Sequence, residues 1–271
     1  MKKIIAIALA LVLCLSLVAC GAKEATGAKI AAQKGTTSFM YANNLKNTTT
    51  TTYDTFALAA KDMINGNVDY LFVDKTTAKS LAKEIEGLKI IEIALSSENY
   101  GIGIDKAQAD LKTKIDTILT EKAAEIDAIK EKYMNGEEDK YVGITSGTKD
   151  GAKADKQLVV ATNAEFAPWE YKEGNQFFGI DMEIAQLIAN ELGLELVIDD
   201  MEFDAVVGAV GKQNVDIAMS GITITTERLG VINFSEPYYT ESIVCVVKAD
   251  NTDLDSAGTV VDMLNVICAE K

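Results

Sequence analysis

Short apolar runs rich in β-branched residues alternate with helix-forming stretches through both halves of the chain. Strand candidates cover residues 29–33, 48–53, 68–73, 88–94 and 100–104, and then 158–162, 194–198, 215–219 and 242–247. Helix candidates cover 55–64, an amphipathic stretch over 111–133, 180–192 and 203–210. Strands that alternate with helices predict an α/β fold with largely parallel sheets.

The two halves also repeat one local pattern. Phe56 lies thirteen residues before Asp69, and Phe203 lies thirteen residues before Asp216. In both windows an apolar helix and a polar turn lead into a strand. Ligands bind beyond the carboxyl ends of such strands, so two facing lobes would form one interdomain cleft. Repetition of a common βαβ unit would give the same spacing, and both interpretations stay open.

Composition narrows the classes of function. The chain has 271 residues, with 41 acidic and 26 basic residues and a formal net charge of −15, so nucleic acid is a poor partner. It has no histidine, which excludes histidine-based catalytic triads and histidine-ligated metals. Arg228 is the only arginine. We expect no cofactor and no metal.

The N-terminus has the pattern of an export signal. Two lysines precede an apolar run over residues 4–18, and the end of this run overlaps the sequence LVAC at residues 17–20. This end resembles a bacterial lipoprotein signal, which implies lipid modification of Cys20. An uncleaved membrane helix is the alternative, although the run is short for a span. Cys245 and Cys268 lie in apolar runs and read as buried thiols, although export also permits a disulfide bond between them.

Six segments carry more specific motifs. They are QKGTT over 33–37, VDYLFVD over 68–74, LVVATNAEFAPWEY over 158–171, FGIDMEI over 178–184, DIAMSGITITTER over 216–228 and FSEPYY over 234–239. Together they resemble the amino-acid-binding proteins of ABC importers, the family 3 extracellular solute-binding proteins. The resemblance implies a two-lobe α/β fold of the type II periplasmic-binding-protein class, with a hinge between the lobes.

The order of the segments departs from that family and resembles a circular permutation. The predicted division is a signal peptide (1–20), a tether (21–28), the small lobe (29–96), a return segment with its helix on the large lobe (97–133), a linker (134–156), the large lobe (157–247) and a hinge or return segment (248–271). Permutation is feasible because domain ends are often exposed and close together. A fragment of a tandem duplication is the rival explanation.

The resemblance implies which residues hold a zwitterionic amino acid. Arg228 stands at the family's carboxylate-binding position, where a planar guanidinium donates two parallel hydrogen bonds. Asp74 stands at the ammonium-binding position, and it would equally serve as a helix N-cap. The other implied contacts are Ser220, Gly221 and Thr223 in one turn, Thr37 from the other lobe, Phe166 and Phe203 around the ligand side chain, and Asn163 near its end. Ordinary turn, capping and core roles are the alternatives for these residues.

Asn163 is neutral where relatives with cationic ligands often carry a carboxylate, which leaves the polar amino acid unidentified. The predicted protein is a monomer and not an enzyme. It is held on the extracytoplasmic face of the membrane by the lipid on Cys20, and it passes a free amino acid to an ABC importer permease. The alternatives are a non-binding permuted or truncated paralogue, and a cyclohexadienyl-dehydratase-like enzyme in which a carboxylate such as Glu165 acts as acid or base.

Overall fold

A computed structural model describes residues 27–212 and 215–269. The predicted signal peptide, Cys20 and most of the tether lie outside the described residues. Two five-stranded sheets, each covered by helices, form two lobes that a two-stranded ribbon joins. The prediction of a two-lobe α/β fold with a hinge is therefore confirmed. Within the described ranges, no helix is both long enough and apolar enough to cross a bilayer.

The first sheet forms the small lobe, with strand order β2-β1-β3-β15-β4. Its strands are β1 (Ala28–Gln33), β2 (Thr48–Tyr53), β3 (Tyr70–Asp74), β4 (Leu88–Ile91) and β15 (Ile243–Lys248). The helices that belong with it are α1 (Thr37–Asn43), α2 (Phe56–Ile64), α3 (Lys75–Glu84) and α9 (Val260–Ile267). β1, β2 and β3 are parallel, whereas β15 runs antiparallel to β3 and β4.

The second sheet forms the large lobe, with strand order β11-β7-β12-β6-β13. Its strands are β6 (Gly103–Ile104), β7 (Gln157–Thr162), β11 (Glu195–Asp200), β12 (Ile217–Ala218) and β13 (Asn233–Phe234). Its helices are α4 (Ala109–Glu121), α5 (Ala123–Met134), α6 (Ile180–Leu192), α7 (Phe203–Ala209) and α8 (Thr226–Val231). A small sheet of β8 (Glu165–Phe166), β9 (Glu170–Glu173) and β10 (Gln176–Phe178) lies beside it.

The two large sheets share one topology. In each, three parallel strands are followed by one antiparallel strand that arrives from the hinge, β15 in the small lobe and β6 in the large lobe. The hinge ribbon pairs β5 (Glu98–Tyr100) with β14 (Tyr239–Glu241). Because the chain changes lobe at β14, residues 243–248 lie in the small-lobe sheet and not in the large lobe, where the sequence analysis had put them. The expected strand over 100–104 is two strands, because the chain passes there from the hinge, where β5 ends, into the large-lobe sheet, where β6 begins.

Hydroxyl caps set several helix starts. Thr55, and not the adjacent Asp54, caps α2 and accepts a hydrogen bond from the Leu58 N–H at 3.2 Å. Thr36, Thr225 and Thr259 cap α1, α8 and α9 in the same way. The predicted helix over 180–192 is confirmed as α6, and Gly193 ends it by adopting φ 69° in the left-handed region.

The long helix expected over 111–133 is two helices. The backbone at Lys122 adopts φ −101° and ψ 15° and separates α4 from α5. Its ammonium pairs with Glu191 Oε1 of α6 at 2.6 Å. The buried Ile115 and Ile126 lie on either side of this bend, and both belong to one core cluster. The apolar periodicity continues through the bend, which is why the pattern alone predicts a single helix.

The segment over 134–156 is more ordered than a flexible linker. It contains 3₁₀ turns at Glu138–Lys140 and Gly151–Lys156. Between them, Ile144 is buried and exchanges two backbone hydrogen bonds with Phe177 of β10, at 2.8 and 2.9 Å. The segment therefore lies against the large lobe, held by this apolar anchor and by hydrogen bonds such as that from the Gly147 N–H to the Leu196 carbonyl at 2.9 Å, which a composition-based interpretation overlooks.

The two ends of the described chain lie near Asn47. A Cβ placed on Gly27 would stand 1.7 Å from the Asn47 carbonyl oxygen. Asn47 Nδ2 donates to the Cys268 carbonyl at 3.3 Å. The predicted hinge or return segment contains α9, whose Met263 and Ile267 are buried with the small-lobe core. The beginning of β1 and the end of α9 are therefore neighbours in space.

Candidate functional site

A narrow cavity of about 10 Å³ lies between the lobes, in front of the hinge. This is about the space of one water molecule and far below the roughly 300–1,000 Å³ of small-molecule pockets, so the lobes have to separate before a ligand can enter. It is lined by Gln33, Thr36, Thr37, Phe56 and Asp74 from the small lobe, and by Phe166, Phe203, Gly221, Thr223 and Arg228 from the large lobe. Any ligand in this cavity would contact both lobes.

Arg228 provides the positive charge of the cavity. It lies in the first turn of α8, is 8% exposed, and has its guanidinium 5.6 Å above the ring of Phe203. Nη1 donates to the Thr223 carbonyl at 2.8 Å, and Nη2 donates to the Gly35 carbonyl of the small lobe at 3.1 Å. Burial lowers the pKa of Arg228, and the Glu98 carboxylate nearby opposes that shift.

Asp74 ends β3 on the opposite wall. It precedes α3, but its side chain makes no capping hydrogen bond, so its carboxylate is not occupied by the helix. Tyr100 Oη donates to Asp74 Oδ1 at 2.7 Å. Burial, followed by repulsion from Glu241 and Glu98, raises the pKa of Asp74 to about 8. Near neutral pH, this carboxyl group therefore holds a proton unless a cation stabilises its ionised form.

The turn after β12 is held from behind by buried carboxyl groups. The Ser220 hydroxyl accepts from the Asn163 N–H at 3.2 Å and donates to Glu170 Oε1 at 2.6 Å. The N–H of Gly221 donates to Asp181 Oδ2 at 2.8 Å, and burial raises the pKa of Asp181 to about 6. Gly221 adopts φ 51°, and its carbonyl is not engaged by these contacts. The turn is thereby fixed at the cavity wall.

A carboxylate in the hinge contacts both lobes. Glu98 of β5 accepts a hydrogen bond at Oε2 from the Thr37 hydroxyl of the small lobe at 2.6 Å. The same oxygen accepts from the Thr223 hydroxyl of the large lobe, also at 2.6 Å. The Ser96 hydroxyl donates to the other oxygen at 3.0 Å. Glu98 therefore occupies two of the hydroxyl groups that the sequence assigns to ligand binding.

Aromatic rings and an amide pair complete the walls. Phe166 lies 5.6 Å from Phe56 between ring centroids, so one ring from each lobe meets across the cavity, and Phe203 lies on the far side under Arg228. Asn163 Oδ1 accepts from Gln33 Nε2 at 2.9 Å, which joins the lobes through two neutral amides.

The structure brings the nine sequence-predicted ligand residues to one site. Thr37, Asp74, Phe166, Phe203, Gly221, Thr223 and Arg228 line the cavity, and Asn163 and Ser220 support it from behind. Their roles toward a ligand stay predictions. Sequence reasoning missed Gln33, Thr36, Phe56 and Glu98. Phe56 had a signal, because the repeated spacing makes it the counterpart of Phe203.

Comparison with known proteins finds a family match in the second half of the chain. Residues 158–268 match the model of the bacterial extracellular solute-binding proteins, family 3. This range starts in β7 and ends just past α9. It contains Arg228, Gly221 and both large-lobe phenylalanines of the cavity.

Individual relatives match over a similar length. The arginine-binding extracellular protein ArtP of Bacillus subtilis is 38% identical over 106 residues, which cover 39% of this chain and 40% of the relative. The probable ABC transporter arginine-binding protein ArtJ of Chlamydia trachomatis is 33% identical over 114 residues, 40% of this chain and 44% of the relative. The chain thus spans less than half the length of these curated relatives.

Solved structures match over part of the chain or over most of it. The arginine-bound form of domain 1 from TmArgBP is 32% identical, covers 44% of this chain and 98% of that domain, and has a TM-score of 0.31. The GluR0 ligand-binding core with L-glutamate is 13% identical, covers 89% and 92%, and has a TM-score of 0.46.

Proposed function

We propose, from the match of residues 158–268 to the model of the bacterial extracellular solute-binding proteins, family 3, that the chain binds one free amino acid between its lobes. The observation that carries the proposal is the pair of buried, oppositely charged groups in one cavity. Arg228 is 8% exposed on one wall and Asp74 is 5% exposed on the other. A zwitterion presents the complementary pair of charges.

Each end of the ligand has a matching partner. The α-carboxylate replaces the Gly35 and Thr223 carbonyls as the acceptor for the guanidinium of Arg228, a charge-assisted and bidentate interaction. The α-ammonium approaches Asp74 and the carbonyl of Gly221. An ammonium within about 4–6 Å favours ionised carboxylate, so binding is coupled to loss of the Asp74 proton.

The side chain of the ligand extends toward the aromatic rings and the Gln33–Asn163 amide pair. These amides offer neutral donors and acceptors, which suits a polar ligand. The names of the relatives make arginine the first candidate to test. With a neutral Asn163 at this end of the cavity, we propose a polar amino acid as the ligand class.

Transfer of the bound amino acid to a transporter depends on the two-lobe geometry. Contacts that need both lobes, such as that between Gly35 and Arg228, exist only when the lobes are closed. A ligand that binds both walls adds its own contacts to the closed form and stabilises it further. The proposed partner that recognises this form is the permease of an ABC importer.

We also propose that Cys20 carries a lipid that anchors the protein on the extracytoplasmic face of the membrane. The support is the LVAC motif after an apolar run, together with the family's extracellular location. Incorporation of labelled fatty acid into the full chain, but not into a Cys20→Ala variant, tests this. Label retained in the variant contradicts it.

The proposed function is tested by thermal unfolding of the chain from residue 21 onward, screened against the twenty amino acids. A ligand that binds only the folded state raises the midpoint with its concentration, by about 2.7 kcal/mol of stability at a hundredfold excess over Kd. We expect one or a few polar amino acids to do so. Mass spectrometry of the recovered ligand distinguishes binding from turnover.

Variants of the cationic residue make the screen specific. Arg228→Ala should abolish the ligand-induced rise of the unfolding midpoint. Arg228→Lys should reduce it, because lysine keeps the positive charge but cannot donate two parallel hydrogen bonds to a carboxylate. Lys46→Ala, at an exposed position, is the matched control for loss of one positive charge. A cooperative wild-type transition that no amino acid moves would reject the proposed function.

A further inference from the structure

Glu98 is a residue of the hinge ribbon whose side chain reaches into the cleft between the lobes. It is 8% exposed and stands on β5, directly opposite Glu241 of β14 in the hinge ribbon. Its Oε2 accepts from Thr37 and from Thr223, each at 2.6 Å. Thr37 opens α1 of the small lobe, and Thr223 follows the binding turn of the large lobe. One carboxylate oxygen thus links the two lobes.

A hydroxyl group has a single hydrogen to donate. While Thr37 and Thr223 donate to Glu98, neither hydroxyl can donate to a bound carboxylate. The α-carboxylate of a ligand therefore has to displace Glu98 as their acceptor or bind without them. It would also approach an existing anion, and like charges at close range repel.

We propose that Glu98 is an internal clasp, which holds the lobes together in the ligand-free protein and competes with the carboxylate of the ligand for the hydroxyls of Thr37 and Thr223. Only the identity of the competitor rests on the proposed function. Ser96 supports the clasp, because its hydroxyl donates to Oε1 at 3.0 Å and its oxygen accepts from the Ile243 N–H at 3.3 Å.

The clasp weakens ligand binding. A protein that is closed without ligand exposes its binding site for only a fraction of the time, and the apparent Kd rises by the inverse of that fraction. Removing the charge of Glu98 should increase the open, binding-competent fraction and relieve repulsion of the ligand carboxylate. Glu98 is then a positioning residue that lowers affinity, unlike the groups that bind the ligand.

The experiment combines small-angle X-ray scattering of the ligand-free protein with calorimetric titration. Glu98→Gln should enlarge the ligand-free radius of gyration, and should tighten the Kd by about tenfold, which corresponds to one charge-assisted hydrogen bond. Glu86→Gln removes the same charge at an exposed position of the small lobe and should change neither quantity. A cooperative unfolding transition confirms that each variant folds.

Thr37→Val provides a second variant that leaves Glu98 in place. It should enlarge the ligand-free protein as Glu98→Gln does, and the double variant should add little, because both changes break the same link. An unchanged radius of gyration in Glu98→Gln, or weaker ligand binding in it, overturns the clasp. If the wild type binds no amino acid, the proposed function fails, and the scattering comparison still decides whether Glu98 holds the lobes closed.

Discussion

Asp74 is a buried acid whose proton is linked both to stability and to binding. Its pKa is raised from 3.8 to about 8, first by burial and then by Glu241 and Glu98, while the hydrogen bond from Tyr100 acts in the opposite direction. A folded-state pKa above the unfolded value gives stability that is fully present below the unfolded pKa. That stability is lost as the pH rises from about 4 through about 8.

An Asp74→Asn variant should therefore not lose stability at this site as the pH rises. Asparagine resembles the protonated acid, so the ligand-free variant should be more stable than the wild type at pH 8 and about as stable at pH 4. Thermal unfolding at both pH values measures the difference, and subtracting the variant's change with pH from that of the wild type removes the contribution of the carboxyl groups that the two proteins share. A wild type whose stability relative to the variant does not fall with pH contradicts the assignment.

The same substitution should abolish ligand binding, since a neutral amide cannot neutralise an α-ammonium. In the wild type, affinity should rise between pH 6 and about 8, because the carboxyl group must lose its proton to bind the cation. Calorimetry in buffers of different ionisation enthalpy reports the proton released. Binding that is equally tight across this range would exclude Asp74 as the partner of the ammonium.

Some residues of the candidate site can be identified from the sequence, and others cannot. Arg228 stands out because it is the only arginine, and the motif around it predicts its place in the cavity. Gln33 and Glu98 carry no such signal. Their partners lie 130 and 125 residues away, and the contacts exist only because the lobes meet. Side chains that act across a closed interface are set by tertiary geometry, which local patterns do not contain.

At the scale of elements, the alternation of strands and helices predicts the fold class, whereas element boundaries depend on single residues. The α4–α5 bend at Lys122 interrupts an apolar pattern that is continuous in sequence. Ile144 anchors a segment whose composition is that of a flexible linker. Both features depend on tertiary contacts with the large lobe, which the local periodicity of the sequence does not contain.

The binding turn depends on a glycine for two separate reasons. Gly221 adopts φ 51°, and a Cβ there would stand 2.7 Å from Phe166 Cε1 and 3.2 Å from Tyr100 Cε2. Gly174 adopts a similar φ of 60° with nothing within 4 Å of its Cβ position. Alanine substitutions at these two glycines therefore separate the free-energy cost of the left-handed backbone from the cost of the steric clash with Phe166.

We expect Gly174→Ala to lower the free energy of unfolding by about 1 kcal/mol, the cost of the left-handed conformation alone. Gly221→Ala should cost about 1–3 kcal/mol more, because Phe166 has to move, and it should weaken ligand binding. Denaturant unfolding and calorimetry of both variants check this. Equal stability losses in the two variants would mean that the contact with Phe166 is not close-packed.

At the scale of the whole molecule, the two sheets have one topology, and each receives its antiparallel strand from the hinge ribbon. The large lobe is continuous in sequence from β6 to β13, and the small lobe is assembled from both ends of the chain. The described ends meet at Asn47. A two-lobe protein with adjacent ends tolerates a change of chain order, because closing a short loop costs little.

The proposed permutation can be tested by reversing it. A chain that starts within the 134–156 segment, continues through residue 269, passes by a short Gly/Ser linker to residue 27 and ends before the cut should keep every lobe contact. We expect it to unfold cooperatively and to bind the ligand of the original chain with a Kd within about threefold, since only loop entropy changes. A cut of the same kind inside α6 (Ile180–Leu192) is the control, and it should not fold. If the reordered chain fails to fold or to bind while the original does both, the original order is required and the permutation is rejected.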